Sequence, residues 1–219
     1  MSKPKIHKTV YFVRHGESEH NILPVFQSPD SPLSEKGKKQ AELIAKRVSK
    51  LSFDVLVSST FLRAKETAEA ISHLTSKTPE LSELFVERIK PASINGKSYE
   101  DENASKVWRR WEESLSTSGM RVEDGENFDD LVARADKALE FLRDRKEGVL
   151  VVVTHGYFLR TIVARVLLGE SLGQEQFRNF MVNSVTENTG LTVLNYQDTF
   201  EGKSRWRLWI YNDHAHLAE

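Results

Sequence analysis

Two apolar runs in this sequence end in the same way. Val10 to Val13 leads into Arg14-His15-Gly16, and Val149 to Val153 leads into Thr154-His155-Gly156. A third run, Phe53 to Val57, leads into the polar turn Ser58-Ser59-Thr60 and then Arg63. Imidazole can attack an electrophile or exchange a proton near neutral pH. Guanidinium presents a planar fork of donors that matches the oxygens of a phosphoryl group. Glycine after each histidine lets the backbone turn sharply and a ligand come close. A lone strand-terminal histidine is more often a structural hydrogen-bonder, and an arginine in a first helical turn is usually a solvated one. The repetition of the ending changes that balance: two histidines and two arginines delivered to one point make an anion site. Metal binding is the rival chemistry for a histidine pair. It is disfavoured here, because the arginines would repel a cation and no carboxylate stands at ligand spacing from either histidine.

The elements that must position these groups can be read from the pattern around them. Continuous apolar runs bounded by glycine suit strands covered on both faces, as in a parallel sheet. Thr9 to Val13, Phe53 to Val57 and Val149 to Val153 are read as such strands, with Met1 to Lys8 as a loose lead-in. Gly16 to Pro32 is read as a loop, rich in Ser, Pro, Asn and Asp. Ser34 is placed as the N-cap of a helix carrying Ala41, Leu43, Ile44, Ala45 and Val48. A second helix carries Arg63 in its first turn and Ala64, Thr67, Ala68 and Ile71 on one face. Pro79 to Glu87 is expected to be a strand or extended segment. Ser98 to Ser116 is expected to be helical, with Val107, Trp108, Trp111 and Leu115 aligned. Asn127 is expected to cap a helix bearing Phe128, Leu131, Val132, Ala135, Leu139 and Leu142. Tyr157 to Leu168 is read as a helix ending at Gly169, and Leu191 to Asn195 with Trp206 to Tyr211 as a hairpin. The alternation favours an α/β fold with a mostly parallel central sheet and helices on both faces.

Composition excludes several function classes. The 219 residues contain no cysteine, so thiol nucleophiles, disulfides and Cys-ligated zinc are ruled out. The 31 basic and 32 acidic residues balance, giving no overall drive toward nucleic acid or an anionic membrane. The first apolar run is too short for a signal-peptide core or a membrane span, and a cytoplasmic location is expected.

Taken in order, the motifs resemble the signature of the histidine phosphatase superfamily, the phosphoglycerate mutase-like proteins. The resemblance starts with Arg14-His15-Gly16-Glu17-Ser18 and Asn21 and continues through Pro32-Leu33-Ser34-Glu35-Lys36-Gly37 with Gln40-Ala41. It runs on through Ser58-Ser59-Thr60-Phe61-Leu62-Arg63-Ala64 with Glu66-Thr67-Ala68, then Gly125-Glu126-Asn127 and Thr154-His155-Gly156. It closes with Asn188-Thr189, Asn212-Asp213-His214 and His216-Leu217. It spans nearly the whole chain and implies a single domain over 1–219, a three-layer sandwich in which 88–127 forms a helical cap over the site.

The resemblance also implies a covalent route. His15 would attack the phosphoryl group to form a phosphohistidine that water then hydrolyses. Arg14, Arg63, Asn21, His155 and Gly156 would surround the phosphoryl oxygens, with His155 donating as an imidazolium. No metal or cofactor is implied, since the arginines supply the positive charge. Glu87 matches the carboxylic acid that protonates the leaving oxygen, with Glu80 and Glu83 as neighbouring rivals. The segment after it departs from the family pattern: Arg88-Ile89-Lys90-Pro91 intervene, and Asn95-Gly96 stands where Glu-Gly is usual. Glu17, Ser18, Tyr157 and Lys97 are candidate substrate contacts. Lys97, Arg109 and Arg110 could meet a second anionic group, while Trp108 and Trp111 read as cap core more than as contacts. Tyr157 stands where relatives commonly carry a small residue. The chain lacks the extended basic insertion of glycolytic mutases after the arginine helix. The expected function is therefore a metal-independent phosphomonoester hydrolase acting on a small phosphorylated metabolite. A mutase-type phosphotransferase and a non-catalytic phospho-ligand binding module are the alternatives. An edge strand or an apolar cap could support a homodimer.

Overall fold

A computed structural model describes residues 5–199 and 201–218. Six strands form one sheet in the order β3-β2-β4-β1-β5-β6. These are β1 (Ile6–Arg14), β2 (Val55–Ser58), β3 (Glu80–Leu81), β4 (Val149–Thr154), β5 (Leu191–Asp198) and β6 (Ser204–Asp213). The first four are parallel, and β5 and β6 add an antiparallel hairpin along β1. Along β4 the side chains alternate between two cores. Leu150 and Val152 pack with Phe12, Leu131, Phe158 and Ile162, and Val151 and Val153 pack with Ile44, Leu56, Ala68 and Ile71. Both faces of the strand are thus covered, which is why it reads as an unbroken apolar run. The helices that cover them are α2 (Glu35–Val48) and α3 (Leu62–Thr75) on one side, and α5 (Phe128–Asp144), α6 (Gly156–Leu168) and α7 (Gln174–Asn183) on the other. The three-layer, mostly parallel architecture is as expected.

The predicted caps are present. The Ser34 side chain accepts from Gly37 N, and Asn127 forms a reciprocal capping box with Asp130. Several boundaries differ from expectation. β1 starts at Ile6, so part of the presumed lead-in pairs with β5, while Met1 to Pro4 lie outside the described residues. The expected strand from Pro79 to Glu87 shrinks to Glu80–Leu81, because the Ser82 hydroxyl accepts from Leu84 N and turns the chain into a 3-10 turn over Glu83–Phe85. The helix expected over Ser98 to Ser116 is α4 (Glu102–Glu113), shortened because the Asp101 carboxylate caps the N–H groups of Asn103 and Ala104. The loop after β1 contains a short helix, α1 (Glu19–Ile22), and α7 occupies a stretch for which no element was predicted.

Residues around α4 carry a small core of their own. Phe26, Ile94 and Ala104 bury together, with Val107 and Trp108 against them. Backbone hydrogen bonds from Phe26 N to Lys97 O and from Gly96 N to Phe26 O tie this core to the loop after β1. Gly125 is required for this packing: a Cβ there would lie 2.7 Å from the Trp111 ring and 2.8 Å from Pro91 Cδ. No described helix is long and apolar enough to cross a membrane.

Candidate active site

Sheet register brings the two histidines together. Val13 pairs with Val153 and Arg14 with Thr154, so His15 and His155 leave adjacent parallel strands at the same level. Their ring centroids are 4.9 Å apart, and both side chains are buried. Val153 also pairs with Ser58 of β2, which places Ser59 beside His155, with Oγ 2.7 Å from its Nε2. Four residues beyond Ser59, Arg63 enters from the first turn of α3. Its Nε donates to His15 Nε2 at 3.1 Å, and its Nη1 donates to Ser28 O at 3.0 Å.

The loop carrying His15 is held by close packing of α2. A Cβ on Gly37 would lie 1.9 Å from Glu17 O, and one on Gly16 would lie 2.5 Å from Gly37 O. From the other side, Asn188 Nδ2 donates to His15 O, and Thr189 N donates to Arg14 O. His15 Nδ1 lies 2.6 Å from Gly16 O. The carbonyl can only accept, so Nδ1 carries the hydrogen and Nε2 keeps its lone pair. Burial, then Arg63 and Arg14, push the His15 imidazole well below its ordinary 6.5. The same burial, with Arg63 and His15, lowers His155 well below that value. Burial and the neighbouring cations thus disfavour the expected imidazolium at His155 and favour the neutral ring. Burial also brings Arg63 down to about 10, which leaves it charged at neutral pH.

Arg14 donates to Thr186 O and lies over Gly156, where a Cβ would come within 3.1 Å of its Nε. Arg14 Nε and His155 Nδ1 are buried without a hydrogen-bond partner among the described residues. Such atoms cost about 1–3 kcal/mol each, and the exceptions tend to sit at functional places. Asn21 spends its Oδ1 on Ser18 N and Ser18 Oγ, which leaves its amide N–H groups for a ligand.

Glu87 reaches the same place from the segment after β3. Its Oε1 accepts from Arg88 N at 3.0 Å and Phe158 N at 2.9 Å, and its Oε2 accepts from Tyr157 N at 3.1 Å. The carboxyl group thus caps the start of α6, directly after His155. Oε2, with one N–H donor, has a lone pair to spare. The rivals lie elsewhere: Glu80 pairs with Arg145, and exposed Glu83 borders a separate surface cleft with Glu126 and Arg134.

Glu87 and Asn21 border a cavity of about 340 Å³. Its other walls include Phe26, Lys90, Tyr99, Trp108, Trp111 and Tyr157. Trp111 is core, its Nε1 donating to Glu126 O and its ring under the Arg88 guanidinium at 3.5 Å. Half-buried Trp108 faces the cavity while packing on Phe26, so it is both core and wall. Tyr157 borders the cavity.

Two of the candidate substrate contacts are otherwise engaged, and a third lies away from the cavity. Glu17 accepts from Ser34 Oγ and Lys36 Nζ, which fixes it at the start of α2. Ser18 is wholly buried, accepting from Gln27 and bonded to Asn21. Lys97 is exposed, and neither it nor Arg109 nor Arg110 borders the cavity. Two cations do border it: Arg88, paired with Glu112, and Lys90, which was passed over. The signal available for it was the departure from the family pattern just after Glu87. Among the described residues, no group of three or more His, Cys, Asp or Glu is placed to hold a metal ion.

Comparisons with known proteins agree with this geometry. The family model of the histidine phosphatase superfamily (branch 1) matches residues 10–209. A probable phosphoglycerate mutase of Photorhabdus laumondii is 31% identical over 216 residues, covering 95% of this chain and 94% of that protein. Among solved structures, YhfR of Bacillus stearothermophilus superposes with a TM-score of 0.77 at 26% identity, covering 96% of this chain and 99% of its own. A mycobacterial glucosyl-3-phosphoglycerate phosphatase, at 24% identity, shows the same fold with a TM-score of 0.74 over 94% of this chain and all of its own.

Proposed function

The chain belongs to the histidine phosphatase superfamily, and from that premise we propose that it is a phosphomonoester hydrolase working through a phosphohistidine on His15. The observation that carries the proposal is the state of His15. Its Nδ1–H is fixed on Gly16 O, and its Nε2 lone pair faces the Arg63 guanidinium among buried cations. An anion drawn in by Arg63 and Arg14 arrives at a nucleophile that burial keeps unprotonated.

Once Arg63 Nε–H turns from His15 Nε2 to a phosphoryl oxygen, the freed lone pair attacks phosphorus in line, and the bond from phosphorus to the leaving oxygen breaks. Glu87 Oε2 gives that oxygen a proton and becomes the base for the next step. Water then attacks the phosphohistidine and passes its proton to Glu87. Phosphate leaves, and Nε2 recovers its lone pair. Arg14, Arg63, the Asn21 amide and His155 hold the phosphoryl oxygens, supplying the charge that a metal ion would otherwise bring. The cavity has room for about ten water-sized groups, which suits a small metabolite.

His15→Ala should lower hydrolysis of 4-nitrophenyl phosphate by about four orders of magnitude or more, and a chelator should not. Undiminished turnover in the variant would refute the mechanism. The names of relatives at 30–31% identity favour a second reading, a phosphoglycerate mutase-type transferase. Labelled 3-phosphoglycerate separates the two: label in free phosphate supports the hydrolase, and label in the 2-isomer supports the mutase.

A further inference from the structure

We infer that Lys90 is a specificity-determining residue that binds a second anionic group, a carboxylate or a second phosphate, on the leaving group of the substrate. The inference rests on the proposed placement of Glu87 at the leaving oxygen. Whatever is attached to that oxygen must extend past Glu87, and the cavity bordered by Glu87 and Asn21 is the space beyond it. Lys90 stands three residues after Glu87 in the wall of that cavity.

The ammonium group there is half-buried and has no counter-ion among the described residues. Among the described residues its one acceptor is the main-chain carbonyl of Gln27. No carboxylate of the described residues lies within ion-pair distance of it. Two other buried cations nearby are paired, Arg88 with Glu112 and Arg134 with Glu126, while Arg14 and Arg63 face the phosphoryl site. Withdrawing a charge from water without a partner is costly, and such groups are normally paired. Two of its three N–H donors remain for a ligand. The charges it senses are Arg63, which repels it, and Glu87, which attracts it. With burial as the largest cause, its pKa falls to about 8, so it is mostly charged at neutral pH. His20 adds a second donor on the same wall: its Nδ1 accepts from Ser28 N, which leaves the hydrogen on Nε2. Phe26, Tyr99 and Trp108 close the cavity with apolar surface, where a charged hydrogen bond gains strength.

The test measures binding without turnover. In the His15→Ala background, calorimetry compares 3-phosphoglycerate with glycerol 3-phosphate, which carries a hydroxymethyl group in place of the carboxylate, and with propane-1,3-diol bisphosphate. A preference of about ten- to a hundredfold for at least one doubly anionic ligand is expected, and the tighter of the two identifies the anion. Adding Lys90→Met should bring the preference below about threefold, and Lys90→Arg should keep most of it. Lys90→Gln supplies a second neutral variant if Lys90→Met does not fold. No preference, or one that survives loss of the charge, overturns the inference. Equal weakening of all three ligands also overturns it, since the ammonium would then serve the phosphoryl group itself. The hydrolase proposal is judged separately, by turnover of 4-nitrophenyl phosphate in the unmodified protein.

Discussion

The floor of the site and its cap solve different problems. The floor consists of His15, His155, Ser59 and Arg63 at the ends of β1, β4 and β2 and the start of α3. Its positions follow from sheet register, and its polar atoms face one another in a buried cluster. The cap around α4 is held by a small core of its own and by Arg88, which donates to Glu126 O and Trp111 O and pairs with Glu112. The floor tolerates unsatisfied nitrogens and crowded cations, whereas the cap satisfies its buried arginine and leaves one lysine facing the cavity. Preorganised charge at the floor suits a reacting group common to all substrates. A separately packed cap suits a leaving group that varies from enzyme to enzyme.

Glu87 lies on the seam between the two, and replacing it tests the division most severely. Glu87→Gln can keep its amide oxygen on Phe158 N and Arg88 N, gives up the Tyr157 N contact, and removes the transferable proton. Hydrolysis of an alkyl phosphate should fall about 10²- to 10⁴-fold. Turnover of 4-nitrophenyl phosphate, whose phenolate leaves without a proton, should fall far less. Equal losses for both would remove the acid role from Glu87.

Two glycines then compare the regions directly. Gly37→Ala drives a methyl group into Glu17 O and should destabilise the fold by about 2–3 kcal/mol or more while disabling the site. Gly125→Ala meets the Trp111 ring instead. It should cost less in global stability and raise KM more than it lowers kcat. Denaturant midpoints and steady-state kinetics on both variants check this. If Gly125→Ala unfolds the whole protein, the cap is not separately packed.

The smallest effect is on stability against pH. His15 and His155 are neutral in the folded protein, with pKa values below the unfolded 6.5. As pH falls below 6.5 the unfolded chain takes up more protons, so stability is lost. About 1–2 kcal/mol should disappear between pH 6.5 and 5.5 from these two groups together. Thermal melts should show this slope, reduced in His155→Gln and intact in cap variants such as Gly125→Ala.

Much of the floor was legible in the chain. The repeated His-Gly ending, the polar turn before Arg63 and the cap residues Ser34 and Asn127 are local signals, because strand ends and helix caps are set by neighbouring residues. The cap was read less well. α4 came out shorter than its apolar periodicity suggested, because Asp101 caps its N-terminus and the helix starts later than the pattern does. Glu17 and Ser18 sit inside the most telling motif yet face α2 and Asn21, so motif membership did not reveal which way a side chain points. Lys97, Arg109 and Arg110 were plausible by charge, but burial and facing are long-range properties.

By itself the sequence determined that β1 and β4 are buried parallel strands, each ending in histidine and glycine, since apolar continuity and a following glycine permit little else. Only the tertiary structure decided that Val13 stands opposite Val153, so that the imidazoles meet at 4.9 Å. It alone decided that Glu87 caps α6 beside them and that Lys90, not Lys97, borders the cavity. The physical reason is that register and burial depend on contacts between residues far apart in the chain, and no local pattern records them.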